Sequence, residues 1–217
     1  MNQNLSEIVF ILDRSGSMAG LEADTIGGFN ALIEKQKKEA GEAYVSVVLF
    51  ANDSQVIYDR TDLRKIEPMT ERQYFVGGCT ALLDAIGGAV KHIANVHKYA
   101  REEDRPAKTI FVITTDGMEN ASRRFRPDEV KELVKRQQEK SGWEFLFLGA
   151  NMDAIQTAGR FGIRPENAVR YECDEKGTAL NYAVVSEAVC AVRSGRGVPK
   201  AWKAEIEKDY AERGAGH

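Results

Sequence analysis

Three carboxyl and hydroxyl side chains occupy alternate positions near the start of the chain. Asp13, Ser15 and Ser17 follow the apolar run Ile8–Leu12, which has the length and composition of a buried strand. A tight loop containing Gly16 would turn these side chains toward one point, because glycine lets the backbone fold closely. Such oxygen atoms are the ligands that hard cations prefer, so the spacing raises the hypothesis of a metal site.

Two later segments carry side chains of the same kinds. Thr80 lies in the glycine-rich stretch "GGCTALLDA", ahead of a helical pattern, and Asp116 follows the apolar run Thr109–Thr115. Ligands of a doubly wound sheet bind outside the carboxyl ends of its strands, so these groups are expected at one edge. The candidate metal ligands are therefore Asp13, Ser15, Ser17, Thr80 and Asp116.

This ligand set contains carboxylate and hydroxyl oxygens without histidine or cysteine. Such hard donors suit Mg²⁺, with Mn²⁺ and Ca²⁺ as alternatives, rather than zinc or copper. Two carboxylates balance the charge of a divalent cation, and the hydroxyls add ligands without further charge. The cation would therefore accept one more anionic oxygen, and nearby helix N-termini favour an incoming anion.

Each of these side chains also has an ordinary structural interpretation. Asp13 and Ser17 are residue types that cap a following helix, and Thr80 has the same option at the next helix. Asp116 and Gly117 form a common turn pair. The metal-site interpretation is favoured because the residues stand together at three strand ends, whereas no single one of them decides it.

The combined pattern resembles the metal-ion-dependent adhesion site of von Willebrand factor A-type domains. The motif D-x-S-x-S corresponds to Asp13, Ser15 and Ser17, the threonine loop to Thr80, and "TTDG" to Asp116. The motifs occur in the order of that family, and the resemblance covers nearly the whole chain. It is most similar to small free-standing bacterial members, including those of tellurium-resistance-type operons.

The resemblance implies a Rossmann-like domain that binds a protein partner through a divalent metal ion. An Asp or Glu of the partner would complete the coordination sphere. Ser15, Ser17 and one of Thr80 and Asp116 would contact the metal directly. Asp13 and the remaining member of that pair would act through water, and the sequence leaves the choice between Thr80 and Asp116 open.

A metal-dependent phosphatase-like hydrolase using Asp13 is the alternative. The second aspartate of such enzymes, two residues further on, is replaced here by Ser15. A serine nucleophile would need a base, but His92 and His97 lie in a helical pattern and His217 lies in the tail. We therefore expect a binding module without catalytic residues.

The composition sets limits on partners and compartment. The net charge of -3 argues against a nucleic-acid or anionic-membrane partner, because phosphate binding requires a basic face. The cysteines Cys79, Cys173 and Cys190 show no paired spacing, and the start of the chain lacks the pattern of a signal peptide. These features favour a reducing, cytoplasmic compartment, and the resemblance to small bacterial members implies a bacterial or phage cytoplasm.

The apolar runs predict the fold. The predicted strands are Ile8–Leu12, Val45–Phe50, Val56–Tyr58, Thr109–Thr115, Phe145–Leu148 and Ala168–Cys173. Helical patterns separate them, except for a link of about five residues after Phe50, which is too short for a crossover helix and predicts a hairpin. We therefore expect a doubly wound α/β sheet of six strands, mainly parallel with one antiparallel edge strand, and helices on both faces.

The chain is predicted to be one domain over residues 1–198, followed by a helical extension and tail over residues 199–217. Trp202, Ile206 and Tyr210 stand four residues apart and predict a terminal helix that packs on the domain. The sequence does not indicate the oligomeric state.

Two smaller features adjoin the predicted site. Arg123, Arg124 and Arg126 follow Asp116 closely and are interpreted either as solvated surface charge or as a basic rim that attracts an acidic partner. Asn151, in "FLGANMDA", is interpreted as a turn residue, with a place at the edge of the site as the alternative.

Overall fold

The apolar runs form a single sheet in a computed structural model, which describes residues 1–151 and 153–214. The strands are β1 (Asn2–Asp13), β2 (Glu42–Phe50), β3 (Ser54–Asp62), β4 (Pro106–Thr115), β5 (Glu144–Gly149) and β6 (Ala168–Arg170). Their order is β3-β2-β1-β4-β5-β6; the β2–β3 pair is antiparallel and the other four pairs are parallel. The predicted six-stranded sheet with one antiparallel edge strand is confirmed.

Helices cover both faces of this sheet. They are α1 (Glu22–Lys38), α2 (Leu82–Tyr99), α3 (Pro127–Ser141), α4 (Ala154–Arg160), α5 (Glu175–Arg193) and α6 (Ala204–Gly214). One apolar cluster joins α1 and α5 to one face, and a second joins α2, α3 and α4 to the other. Within the two described ranges, no helix combines the length and apolar character needed to cross a bilayer.

Strand β1 shows why the run Ile8–Leu12 lacks alternation. Ile8, Phe10 and Leu12 belong to the α1/α5 cluster, whereas Val9 and Ile11 belong to the opposite one. All five are fully buried, as expected for a central strand of a sheet covered on both faces. This burial fixes the position of β1. Asp13, the last residue of β1, is therefore fixed at the carboxyl end of the sheet.

Strand β6 is shorter than predicted. The sequence predicts a strand over Ala168–Cys173, but β6 ends at Arg170. The chain then turns toward α5, where Asp174 caps the helix by accepting a hydrogen bond from the amide of Gly177 at 2.7 Å. To reach this cap, the chain leaves the sheet soon after Arg170. The pairing of β6 with β5 therefore ends early, and Cys173 lies outside the sheet.

The terminal helix packs on the domain as its apolar spacing predicts. Ile206 is buried in α6, and the buried Trp202 donates its indole N–H to the carbonyl of Glu166 at 2.9 Å. The guanidinium of Arg170 lies over the ring of Tyr210, 4.7 Å from its centre. A boundary at residue 198 stays a prediction, and residues 215–217 lie outside the described chain.

Candidate metal site

The loop after β1 is fastened to the loop that precedes α2. The amide of Gly16 donates to the carbonyl of Gly78 at 3.0 Å, and the amide of Gly77 donates to the carbonyl of Arg14 at 2.9 Å. Gly77 and Gly78 have φ values of 158° and 84°, which glycine adopts without strain. The two backbones therefore lie close together, and this brings Thr80 to the end of β1.

Asp13 is held in one orientation on all sides. Its side chain is buried, with Oδ1 accepting from the Ser15 amide at 2.7 Å and Oδ2 from the Thr115 hydroxyl at 2.5 Å. The Tyr74 hydroxyl donates to the main-chain carbonyl of Asp13 at 2.5 Å. The carboxylate is therefore preorganised by Ser15 and Thr115, and Tyr74 fixes the backbone that carries it.

The two serines connect this loop to Asp116. The hydroxyl of Ser17 donates to Oδ1 of Asp116 at 2.6 Å and lies 3.1 Å from the hydroxyl of Ser15. Oδ2 of Asp116 lies 3.8 Å from the sulfur of Cys173. Residues almost a hundred positions apart in the sequence thus share one polar cluster, as the sequence predicts.

Thr80 reaches the same cluster through a close approach to Gly117. A Cβ atom placed on Gly117 would lie 2.7 Å from the Thr80 hydroxyl and 3.4 Å from the Ser17 hydroxyl. Thr80 also exchanges two hydrogen bonds with Asn120: its amide donates to the Asn120 side chain at 2.9 Å, and its carbonyl accepts from the Asn120 amide at 3.0 Å. The structure therefore brings all five candidate ligands together.

The capping interpretation of these residues is wrong. The residue that precedes α1 is Leu21, and the one that precedes α2 is Ala81; neither of them caps its helix with a side chain. In the first turn of α2, the amides of Leu83 and Asp84 donate instead to the side chains of Glu119 and Ser122. Asp13, Ser17 and Thr80 are consequently not used to begin a helix. Capping therefore does not explain why these side chains lie together.

Burial makes the negative charges of the cluster unfavourable. It raises the pKa of Asp13, an effect opposed by the hydrogen bonds from Thr115 and Ser15 and reinforced by the nearby Asp116. Burial also raises the pKa of Asp116, and the hydrogen bond from Ser17 opposes this. No described Lys, Arg or His forms an ion pair with either carboxylate. A divalent cation bound to these oxygens would supply the missing positive charge, so the donor set fits one.

The site differs from a histidine- or cysteine-rich metal centre. Residues 1–151 and 153–214 contain no group of three or more His, Cys, Asp or Glu positioned to hold a metal. His97 is buried and its Nε2 lies 3.2 Å from Oε2 of Glu7, while His92 pairs with Asp59 at 2.9 Å. Neither contacts the cluster, and His217 lies outside the described residues.

An acidic concavity borders the cluster. A concavity of about 470 Å³ beside Ser17 is bordered by Asn151 and Cys173. Four acidic side chains also line it: Asp24, Glu172, Asp174 and Glu175. Asn151 has the left-handed φ of 53°, so it is both a turn residue and an edge of the site.

The three arginines that the sequence suggests as a basic rim lie in the segment between β4 and α3. Arg123 and Arg124 are exposed. The carboxylate of Asp84 in α2 accepts a hydrogen bond from the backbone amide of each of them, at 2.9 Å in both cases. Their role in attracting a partner stays a prediction.

Sequence reasoning missed several residues that position the ligands. Thr115 stood within the quoted motif "TTDG", but its hydrogen bond to Asp13 was not anticipated. Tyr74, Asn120 and Cys173 carry no spacing signal, because each contacts the cluster through the fold rather than through a local pattern.

A model of a known protein family matches most of the chain. The model of the von Willebrand factor type A domain matches residues 7–176, a span that contains all five candidate ligands. The chain belongs to the von Willebrand factor type A (VWA) domain family. A sequence comparison with curated proteins finds no match.

Solved structures show the same VWA fold at low sequence identity. Proximal thread matrix protein 1 of the mussel byssus has a TM-score of 0.58 and 16% identity, over 85% of this chain and 46% of that one. That structure has a zinc-occupied metal-ion-dependent adhesion site (MIDAS) motif. VWA2, an ArnB paralog of Sulfolobus acidocaldarius, has a TM-score of 0.54 and 16% identity, over 87% and 45%. The open pilus adhesin SpaC of Lactobacillus rhamnosus GG has a TM-score of 0.60 and 11% identity, over 85% and 30%. This chain thus spans less than half the length of these structures.

Proposed function

We propose that this VWA domain is a protein-binding module that depends on a divalent metal ion. The observation that carries the proposal is the junction between Ser17 and Asp116, whose oxygen atoms lie 2.6 Å apart although they come from different strand ends. With the buried Asp13 behind them, they form an oxygen-rich cluster that lacks a compensating charge. We propose Asp13, Ser15, Ser17, Thr80 and Asp116 as the metal-binding residues.

Mg²⁺ is the ion that we propose for this cluster, with Mn²⁺ and Ca²⁺ as alternatives. Carboxylate and hydroxyl oxygens suit these hard cations, and Mg²⁺ in proteins commonly retains several waters beside one or two carboxylates. The zinc-occupied motif of the mussel protein makes Zn²⁺ a further ion to include in binding experiments. When bound, the ion supplies a Lewis-acidic centre that accepts an additional anionic oxygen.

The partner, on this proposal, contributes an Asp or Glu side chain to that centre. Asp13 and Asp116 together carry two negative charges when ionised, so the three hydroxyls leave the cation without excess negative charge around it. Ser17 is exposed, and this keeps the cluster open to solvent on one side. A carboxylate arriving there would gain a charge-assisted contact that neutral side chains cannot make.

The geometry argues against the phosphatase-like alternative. Both side-chain oxygens of Asp13 already accept hydrogen bonds, and the residue is only 1% exposed. A phosphoryl-accepting nucleophile must reach its substrate, whereas this carboxylate is placed to support the residues in front of it. Ser15 is buried as well. We therefore propose that the domain binds a partner and has no catalytic role.

The partner proposal is tested with the domain immobilised and exposed to lysate of its host. We expect a specific protein to bind in the presence of Mg²⁺ and to elute with EDTA. Asp13→Ala should lose this protein. Asp53→Ala, which removes an exposed carboxylate from the neighbouring β2–β3 loop, should retain it.

Two results would contradict the proposal. One is retention of the protein by Asp13→Ala, and the other is binding that EDTA leaves unchanged. Substituting the acidic residues of the captured partner one at a time should identify a single Asp or Glu whose amide form no longer binds.

A further inference from the structure

A second cavity lies at the opposite end of the sheet from the proposed metal site. It has a volume of about 570 Å³ and lies between the last turns of α2 and α3 and the first residues of β4. Small-molecule sites in proteins usually measure about 300–1,000 Å³, so this volume suits a small ligand rather than a polymer. Neither the family match nor the cluster around Asp13 accounts for it.

Four positively charged side chains line this cavity, and its lining contains no Asp or Glu. They are Lys98, Arg105, Arg136 and Lys140. Among the described residues, none of the four forms an ion pair with a carboxylate. The chain as a whole has a net charge of -3, so this concentration of positive charge is not a general property of the surface.

The floor of the cavity is built from polar side chains that are at least nine-tenths buried. His97 is 7% exposed, Thr109 is 3% exposed and Gln137 is 8% exposed. The carbonyl oxygen of Gln137 accepts from the Ser141 hydroxyl at 2.9 Å, so the N–H groups of its amide are the donors that remain. The buried Nε of Arg105 has no hydrogen-bond partner among the described residues. A buried donor without a partner is costly, and a bound acceptor would satisfy it.

The side chain of His97 is held in place by its contacts with Glu7 and Trp143. Its Nε2 lies 3.2 Å from Oε2 of Glu7, and the same oxygen accepts from Nε of Arg60 at 2.8 Å. The imidazole also packs edge-on against Trp143, with ring centres 5.3 Å apart. These contacts make the floor a fixed surface rather than a flexible one.

Helix geometry explains only part of the charge. Lys98 and Lys140 lie in the last turns of α2 and α3, where positive side chains balance the negative end of the helix dipole. Arg105 lies outside both helices, and Arg136 lies before the last turn of α3. The carboxyl ends of the two helices carry partial negative charge and would themselves disfavour an anion. An anion can bind only because the four positive side chains exceed that negative charge.

We propose that this cavity binds a small organic phosphate that carries at least two negative charges. Guanidinium groups form paired hydrogen bonds with phosphate oxygens, and the cavity presents two arginines together with two lysines. The donors of Thr109 and Gln137 would add neutral contacts below them. Binding takes place at the amino ends of the strands and is independent of the metal site.

The test uses inorganic pyrophosphate as the probe, titrated calorimetrically into the full chain in EDTA so that no metal bridges the interaction. We expect saturable binding with one site per chain. The double variant Arg136→Ser/Lys140→Ser should weaken it at least about tenfold, because it removes two of the four positive charges and their charge-assisted hydrogen bonds. Both side chains are exposed, so this variant should fold normally, which circular dichroism would check.

The matched control is Lys131→Ser/Lys135→Ser. It removes two positive charges with the same four-residue spacing from the same helix, but neither side chain lines the cavity. The control should lose much less affinity for pyrophosphate than the cavity variant, because neither of its side chains lines the cavity.

Three results would overturn the proposal. The first is the absence of saturable pyrophosphate binding to the unmodified chain, and the second is an equal loss in the cavity variant and the control. The third is tighter binding of citrate or of a single-stranded oligonucleotide than of pyrophosphate, which would assign the cavity to a carboxylate or a polymer. Because the experiment is done in EDTA, its failure leaves the metal proposal untouched, and the converse also holds.

Discussion

The two ends of the sheet differ in how their polar side chains are arranged. At the carboxyl end, Asp13, Ser17 and Asp116 are connected to one another and to neighbouring groups by short hydrogen bonds. At the amino end, Arg136 and Lys140 are exposed and surround an open cavity without ion-pair partners. The same sheet therefore supports a preorganised cluster at one end and a diffuse positive field at the other.

This difference leads to different expectations for binding. A preorganised cluster depends on each of its members, so a single substitution should cause a large loss. A diffuse field depends on the sum of several charges, so losses should be graded and sensitive to salt.

The largest effect is expected for Asp116→Ala. This change removes one of the two carboxylates of the cluster and the acceptor of the Ser17 hydroxyl. Because the loss of supporting residues alone typically costs about 10–100-fold in metal affinity, loss of a carboxylate of the cluster should cost about 100-fold or more. Isothermal titration with Mg²⁺ and Mn²⁺ measures it. Pyrophosphate binding at the amino end should stay unchanged, and a parallel loss there would show that the two ends are not independent.

A smaller loss of metal affinity, about tenfold by the same comparison with supporting residues, is expected for Gly117→Ala. The added Cβ would lie 2.7 Å from the Thr80 hydroxyl and would displace Thr80 from the cluster. The control is Gly88→Ala in α2, where a Cβ meets no atom within 4 Å. If the Gly117 variant bound metal as tightly as the control does, Thr80 would not belong to the site.

Salt should separate the two ends further. Exposed charges are screened strongly by salt and buried ones much less. Raising the concentration of NaCl should therefore weaken pyrophosphate binding several-fold, whereas Mg²⁺ affinity should fall by a smaller factor. Calorimetric titrations at several salt concentrations measure both. Equal salt dependence would contradict the distinction between a preorganised cluster and a diffuse field.

The smallest effect concerns the stability of the metal-free domain. Burial raises the pKa of Asp13 in the folded state, so the ionised side chain destabilises the fold at neutral pH. The stability that protonation contributes is lost as pH rises through the folded pKa, so Tm in EDTA should increase as pH falls through that pKa toward the lower pKa of an ordinary aspartate.

Asp13→Asn should raise Tm in EDTA at neutral pH, by about 2–4 °C for each kcal/mol gained, and should remove part of the pH dependence. Added Mg²⁺ should stabilise the unmodified chain and leave this variant unaffected. Differential scanning calorimetry measures all of these changes. A lower Tm for Asp13→Asn in EDTA would show that the charge of Asp13 is satisfied without metal.

Much of the fold follows from local patterns. The apolar runs identified the six strands, and the short link after Phe50 identified the hairpin. The end of β6 was wrong because a cap at Asp174, rather than hydrophobicity, ends that strand. The convergence of the candidate ligands was predictable because they lie in the loops that follow strands or precede a helix.

The supporting contacts were not predictable, since they join distant parts of the chain. Thr115 meets Asp13 across 102 residues and Tyr74 meets it across 61. The cavity at the amino end was missed for the same reason: its four cations come from α2, α3 and the segment that leads into β4, and no local spacing connects them.

The most direct test of the central claim is the titration of Mg²⁺ into the unmodified chain, Asp13→Ala and Asp53→Ala. The proposed site predicts one metal per chain, at least about a tenfold loss for Asp13→Ala and unchanged affinity for Asp53→Ala. Equal affinity in all three proteins, or no metal binding by the unmodified chain, would contradict it.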